Sequence, residues 1–420
     1  MKRNYLHTFI VFTLFLLHIQ LAYSQSYDLL IKNGWLIDPK NSIDEKFDIA
    51  VLNGKIAKVG KNISTEEANE TIEADGLYVV PGLIDMHVHV FYGTEPDADY
   101  SNGFNSVPPD AFTFRAGVTT VVDAGSSGWR NFNTFKEQTI DHSKTRVLAF
   151  LNIVGHGMKG GKVEQNLLDM ESDPTSYVAN KYPELIVGIK VAHYSGAEWD
   201  PVERAVEAGN IAKVPVMIDF GGHIPQLSLE TLLMEKLRPG DILTHAFAHV
   251  RGRIPIVDEN RKVRPYVWEA QKRGIVFDVG HGGGSFLFEQ AIPALQQGFR
   301  PNSISTDLHI GSMNGGMKDM LNVMSKFLNM NMTLQEVIAR STWFPARYIQ
   351  REELGHLGEG AEADLAVIRL DTGDFGFIDT RGWKMPGSQK LVCELTLRNG
   401  NVVWDLNGIS RPEWGKEDEK

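Results

Sequence analysis

Between residues 81 and 349 the chain alternates short apolar runs with longer stretches of mixed polarity. Eight runs have the length and Val/Ile/Leu content of strands: residues 83–90, 118–123, 146–153, 185–191, 214–220, 241–244, 274–279 and 303–306. The intervening segments are long enough for helices, as at 201–213 and 334–340. Strands that are apolar throughout and alternate with helices imply parallel pairing with both faces covered. Eight such units predict an α/β fold, a (β/α)8 TIM barrel over residues 81–349. A doubly wound sheet is the competing architecture, and the placement of polar residues decides between them.

The ends of the chain carry a different pattern. Residues 27–34 predict a strand entering an Asn33-Gly34 turn and continuing through Trp35, Leu36 and Ile37, and residues 48–59 predict a hairpin around Asn53-Gly54. The C-terminus repeats the style at 364–368 and around Asn399-Gly400. A small β-sandwich domain assembled from residues 25–80 and 350–420 follows.

Lys2 and Arg3 precede an apolar stretch that ends at Ala22-Tyr23-Ser24. This is the layout of a secretory signal peptide over residues 1–24, with small residues where cleavage would occur. The alternative is a retained membrane anchor, which His18, Gln20 and the short length disfavour. The expectation is an exported, periplasmic or secreted protein with no stable membrane association once the leader is gone. A net charge of −11 over 420 residues, with no basic patch, argues against a nucleic-acid partner. A small-molecule substrate is expected instead, and homo-oligomerisation is left open. Cys393 is the single cysteine and lies in a strand-like run, so no disulfide can form within the chain and a buried, inert thiol is expected.

Candidate chemistry sits at the ends of the barrel strands. His87 and His89 are two apart on the first strand and project to the same side, a half-site for a divalent metal such as zinc. Lys190 lies within the apolar fourth strand. His223 and His245 follow the fifth and sixth, His281-Gly282 the seventh, and Asp307 the eighth. In a barrel these ends converge on one mouth. An ammonium cannot ligate a cation, but a buried neutral lysine can take up carbon dioxide as a carbamate, N6-carboxylysine, whose two oxygens can bridge two metals.

The order His-x-His, Lys, His, His, Asp resembles the amidohydrolase superfamily. The flanking segments are similar too: Leu30-Ile31-Lys32-Asn33-Gly34, Val79-Val80-Pro81-Gly82-Leu83-Ile84-Asp85, and Gly358-Glu359-Gly360-Ala361-Glu362-Ala363-Asp364-Leu365. Residues 111–128 and the Gly-His-Gly-Gly-Gly-Ser run from Gly280 look most like its deacetylase or dihydroorotase-like branch. The resemblance implies two divalent ions, Zn2+ by ligand type. His87, His89, Lys190 and Asp307 would hold the more buried one, and Lys190, His223 and His245 the other. Asp307 would be the catalytic acid–base group for a metal-activated water. His281 and Gly282 suit contacts to the substrate, although His281 could equally be a packing residue. Tyr194 and His156 are further candidates to line the pocket, and His309 is expected to act behind the ligands.

Three functions remain in view. The leading one is a binuclear deacetylase or deacylase acting on an acyl ester or amide of a small carboxylate, an N-acyl amino acid or an O-acyl hydroxy acid. The second is a cyclic amidohydrolase of the dihydroorotase or hydantoinase type, and the third is a non-catalytic binding barrel.

Overall fold

In the computed structural model, which describes residues 27–415, the two ends of the chain meet in one sheet. Its strands are β1 (Tyr27–Asp38), β2 (Ile43–Leu52), β3 (Lys55–Gly60), β4 (Ala68–Glu73) and β5 (Tyr78–Pro81), joined later by three more. The leader expected at residues 1–24 lies outside the described residues. The barrel strands follow: β6 (Leu83–Val88), β7 (Val118–Gly128), β8 (Arg146–Asn152), β9 (Ile186–Val191), β10 (Val216–Ile218), β11 (Ile242–Leu243) and β12 (Val276–Phe277). The terminal sheet is completed by β13 (Leu365–Ile378), β14 (Lys384–Arg398) and β15 (Asn401–Asp405), giving the order β15-β14-β13-β5-β1-β2-β3 with β4 beside β1.

The two Asn-Gly pairs at 53–54 and 399–400 make the expected hairpin turns, all four residues at positive φ. Asn33-Gly34 does not. β1 runs straight through it as one strand, and Asn33, at φ +61°, makes a bulge where the register against β2 shifts. Asp48 holds that bulge, accepting hydrogen bonds from the Asn33 amide at 2.9 Å and the Lys32 ammonium at 2.8 Å. A local turn preference is overridden by the pairing on either side.

β6 to β12 pair in parallel in chain order, as a barrel requires. Ile84, Val122, Leu148, Val187, Met217, Ile242 and Val276 fill the inside, while Val121, Val147, Ile218, Leu243 and Phe277 face the outer core. Apolar residues on both faces explain why the runs read as continuous rather than alternating. The eighth position, predicted at 303–306, is closed by single bridges, Asp278 to Ser303 and Val88 to Leu308. Its polar side chains replace part of the ladder: Ser303 and Ser305 donate to Asp278, and Thr306 donates to Asp85. β10, β11 and β12 are likewise shorter than their apolar runs, although the amides of Asp219, Thr244 and Asp278 just beyond them still donate to the Val191, Ile218 and Leu243 carbonyls.

The terminal sheet is not independent of the barrel. Its inner cluster, with Leu29, Leu36, Val51, Leu365 and Leu397, is its own. Ile368, Phe377, Leu391 and Cys393, however, belong to the barrel's outer core. Cys393 is buried there in β14, as expected of an inert thiol.

Candidate active site

The barrel mouth collects the residues that the sequence singled out. His87 and His89 leave β6, and the chain at the eighth position returns to them through two backbone hydrogen bonds, Asp307 amide to His87 carbonyl (2.7 Å) and His89 amide to Leu308 carbonyl (2.9 Å). Asp307 Oδ1 then lies 3.0 Å from His89 Nε2 and 3.6 Å from His87 Nε2. Lys190 Nζ, from β9, is 3.4 Å from His87 Nε2. Two atoms bonded to one zinc-sized ion at tetrahedral angles are about 3.3–3.6 Å apart, the spacing of His87 Nε2 and Asp307 Oδ1, while the closer His89 Nε2–Asp307 Oδ1 pair is at hydrogen-bond distance. Among the described residues, His87, His89 and Asp307 are the one group of three or more His, Cys, Asp or Glu whose ligand atoms all lie within 4.8 Å of one another.

The outer hydrogen bonds fix which nitrogen of each ring can ligate. Thr244 donates its hydroxyl proton to Asp278, so its oxygen accepts from His87 Nδ1 at 2.7 Å and leaves Nε2 as the lone pair. His89 Nδ1 meets Ser126 Oγ at 3.0 Å. His245 Nδ1 donates to the Gly280 carbonyl at 2.6 Å, and His223 Nδ1 to the Gly196 carbonyl at 2.9 Å. Orientation of metal-binding imidazoles through the far nitrogen is the usual arrangement. His223 Nε2 is buried and has no hydrogen-bond partner, a lone pair without a proton to receive. These donors fit divalent ions.

Electrostatics agree. Burial, with Lys190 and His245 nearby, pushes His87 well below the ordinary histidine range, so it is a neutral donor. Burial also lowers Lys190, against the opposing pull of Asp219 and Asp307, and no carboxylate among the described residues pairs with its Nζ. Burial opposes ionisation of Asp307, but the His89 hydrogen bond and the charge of His309 outweigh it and hold the carboxyl at about 2. Asp307 and His245 both sit at positive φ, +53° and +54°. Backbone strain of this kind clusters where a side chain must be aimed.

Glycines make room for the cage. A Cβ on Gly125 would fall 2.6 Å from Lys190 Cγ, and one on Gly280 would fall 2.4 Å from Thr244 Oγ1 and 3.0 Å from His87 Nδ1.

The substrate-binding candidates are placed differently. His281 has no exposed surface; it stacks on Phe286 at 4.5 Å, and its Nε2 meets Lys326 Nζ at 2.6 Å. Of the two readings of this residue, the geometry is that of packing. Gly282 lies against Asp307, where a Cβ would come 2.5 Å from Oδ2. Tyr194 is buried with its hydroxyl on Glu198 at 2.5 Å. His156 is exposed and held by its backbone, which accepts from Ser101 and Asn131. His309 stands behind the cage, its Nε2 3.9 Å from Asp307 Oδ2.

Three residues at the mouth were not singled out. Asp219 follows β10 and places Oδ2 3.5 Å from His245 Nε2. Its signal was legible, since it is two positions beyond the inward Met217. Tyr100 lies on His89 at 4.5 Å between ring centres, brought there by the long segment after β6. Arg253 is buried beside the sixth strand end and donates to the His245 carbonyl at 2.7 Å, with its Nε unpaired. No sequence spacing announces these two.

Comparison with known proteins places this geometry. A family model described as the amidohydrolase family matches residues 288–402. A deacetylase from Brucella anthropi is 36% identical over 349 residues, covering 81% of this chain and 83% of its own. The chain belongs to the amidohydrolase superfamily. A crystal structure of an adenine deaminase superposes on this amidohydrolase with a TM-score of 0.80 at 30% identity, covering 91% of this chain and 100% of the other. One of a dihydroorotase gives 0.77 at 30% identity, with 90% and 99% covered. The barrel with its terminal sheet is therefore the architecture of these enzymes, and the chain is a hydrolase acting on C–N bonds.

Proposed function

We propose that this amidohydrolase is a binuclear deacylase that removes an acyl group, acetyl first among them, from a small carboxylate-bearing substrate, an N-acyl amino acid or an O-acyl hydroxy acid. The observation that carries the reading is the cage itself: two converging imidazoles, a low-pKa carboxylate and a buried lysine without a carboxylate partner among the described residues at one mouth. The 36% identity to a deacetylase over most of both chains supports the choice of reaction. His87, His89 and Asp307 would hold one ion, and Lys190, as its carbamate, would help to hold both it and a second, whose other donors would be His245 and a residue after the fifth strand, where the sequence pattern offers His223. Zn2+ suits the imidazoles.

Ions bound there supply an acidified water and polarise the acyl carbonyl. Asp307 is placed to accept a proton at the cage and return it to the leaving nitrogen or oxygen, since its Oδ1 faces the imidazoles and it is ionised at neutral pH. Arg253, a buried cation next to His245 with no carboxylate partner among the described residues, biases the mouth toward an anionic substrate. The leader at residues 1–24 belongs to the same reading, which places the mature enzyme in the periplasm or outside the cell.

A panel of N-acyl amino acids, O-acyl hydroxy acids and cyclic imides tests the reaction. Turnover of the acyl substrates is expected, with loss after chelation and recovery with zinc. Turnover of cyclic imides alone would replace this reading with the cyclic amidohydrolase one, which the dihydroorotase likeness favours. Protein prepared in 13C-bicarbonate should show a carbamate carbon that disappears in Lys190→Ala.

A further inference from the structure

We infer that Asp219 is a ligand of the second metal ion, at the end of the fifth barrel strand where the sequence pattern offers His223; this rests on the binuclear reading above. Strand alternation aims it. Met217 belongs to the barrel's interior cluster and is level with Lys190 and Ile242, whereas Ile218 faces the outer core. Asp219 is the next inward position. Its amide donates to the Val191 carbonyl at 3.0 Å, so it keeps the path of the strand and projects beside the end of β9, the strand that carries Lys190.

Its distances are those of a ligand. Asp219 Oδ2 lies 3.5 Å from His245 Nε2, the nitrogen left to ligate in the neutral ring because Nδ1 donates to the Gly280 carbonyl. The separation equals the edge of a tetrahedral cage, about 3.3–3.6 Å. On its far side Oδ2 is 3.8 Å from His193 Nε2, while His193 Nδ1 is fixed by Glu164 at 2.7 Å. At 3.8 Å His193 is an ion-pair neighbour of the carboxylate rather than a hydrogen-bond donor to it.

His223 is placed less well. Gly221 and Gly222, at φ +149° and +81°, turn the chain out of the strand toward the 250–253 loop, where a Cβ on Gly252 would fall 2.9 Å from the Gly222 carbonyl carbon. The His223 ring ends against Phe220, 4.8 Å between centres. With Asp219 in place, the second ion has one imidazole and otherwise oxygen donors. That is a harder set than the first, so it accepts Mn2+ more readily than the first position does.

The test is metal binding by the full chain, stripped by chelator and back-titrated with Zn2+ and Co2+. Wild type is expected to bind two ions. Asp219→Ala should keep the first and bind the second more than about 100-fold more weakly, beyond the 10–100-fold that loss of an outer hydrogen bond brings. His223→Ala should keep both. Two ions in Asp219→Ala, with the second weakened by less than that, would overturn the assignment. Should Asp219→Ala fail to fold, Asp219→His retains an inward donor: two ions and an altered cobalt d–d spectrum are expected, and an unaltered spectrum would overturn it. Wild-type protein with no affinity for either ion would instead sink the binuclear reading beneath it.

Discussion

Asp307 combines three properties that rarely coincide: a left-handed backbone, a carboxylate held at about 2 inside a protein, and two imidazole nitrogens within 3.6 Å of one oxygen. The first aims the side chain back across the barrel, and the other two keep it an ionised acceptor. Asp307→Asn keeps the shape and one ligating oxygen but cannot take a proton. Its kcat is expected to fall by about 10²–10⁴-fold with KM changed much less, while metal content drops modestly. Steady-state kinetics beside metal analysis check this, and retained kcat would move the proton transfer to another group. Lys326 is another residue under electrostatic stress. Burial lowers it to about 7, and its partners are His281 Nε2 and the Gly316 carbonyl. Because its folded pKa lies below the unfolded value of 10.5, the cost of the buried charge is full below pH 7 and is relieved as pH rises toward 10.5. A tenfold change in proton affinity is worth about 1.4 kcal/mol. Lys326→Met should therefore abolish the rise in stability between pH 7 and 10 seen by urea unfolding; the same slope in the variant would contradict the assignment.

At the scale of elements, the strand ends matter more than the strands. The turn Gly280-His281-Gly282 touches three parts of the cage: the Gly280 carbonyl orients His245, the Gly280 Cα faces His87 and Thr244, and Gly282 lies on Asp307. It is held from behind by the stacking of His281 on Phe286 and by Lys326. Gly280→Ala, at φ +45° and with a Cβ 2.4 Å from Thr244 Oγ1, must displace two metal-binding rings at once. The expected result is a loss of about 1–3 kcal/mol in stability and a weakened affinity for metal. Isothermal titration with zinc and denaturant melts of the metal-free protein separate the two effects. Unchanged zinc affinity would show that the rings can adapt.

For the whole molecule, the coupling of sheet and barrel predicts one unfolding transition. β13 and β14 insert Ile368, Phe377, Leu391 and Cys393 into the core that the barrel helices share, and the Leu391 amide donates to Ser325 Oγ at 2.9 Å. The barrel's outer core is not closed without these four residues of the sheet. Calorimetry should give a single peak whose ratio of calorimetric to van't Hoff enthalpy is close to one. Chelation should lower its temperature, because ions that bind only the folded cage stabilise it by mass action. Two peaks, one of them insensitive to chelator, would mean that the sheet folds alone.

The apolar runs, two of the hairpin turns and the residues gathered at the mouth were legible in the sequence, because burial on both faces leaves runs of Val, Ile and Leu, and because His, Asp and a buried lysine stand out at strand ends. Strand-end placement could be read only as far as alternation carries. It reached His87 and His89; the same alternation leads from Met217 to Asp219, which histidine spacing alone passes over in favour of His223. The tertiary structure alone decided the rest. Asn33-Gly34 became a bulge because neighbouring strands pair across it. His281 turned inward to Lys326, a partner 45 residues away. Tyr100 and Arg253 reached the mouth on loops whose course depends on what they pack against, since no periodicity governs a loop. Local pattern fixes which residues are buried and what they can bind, while long-range packing decides which of them face one another.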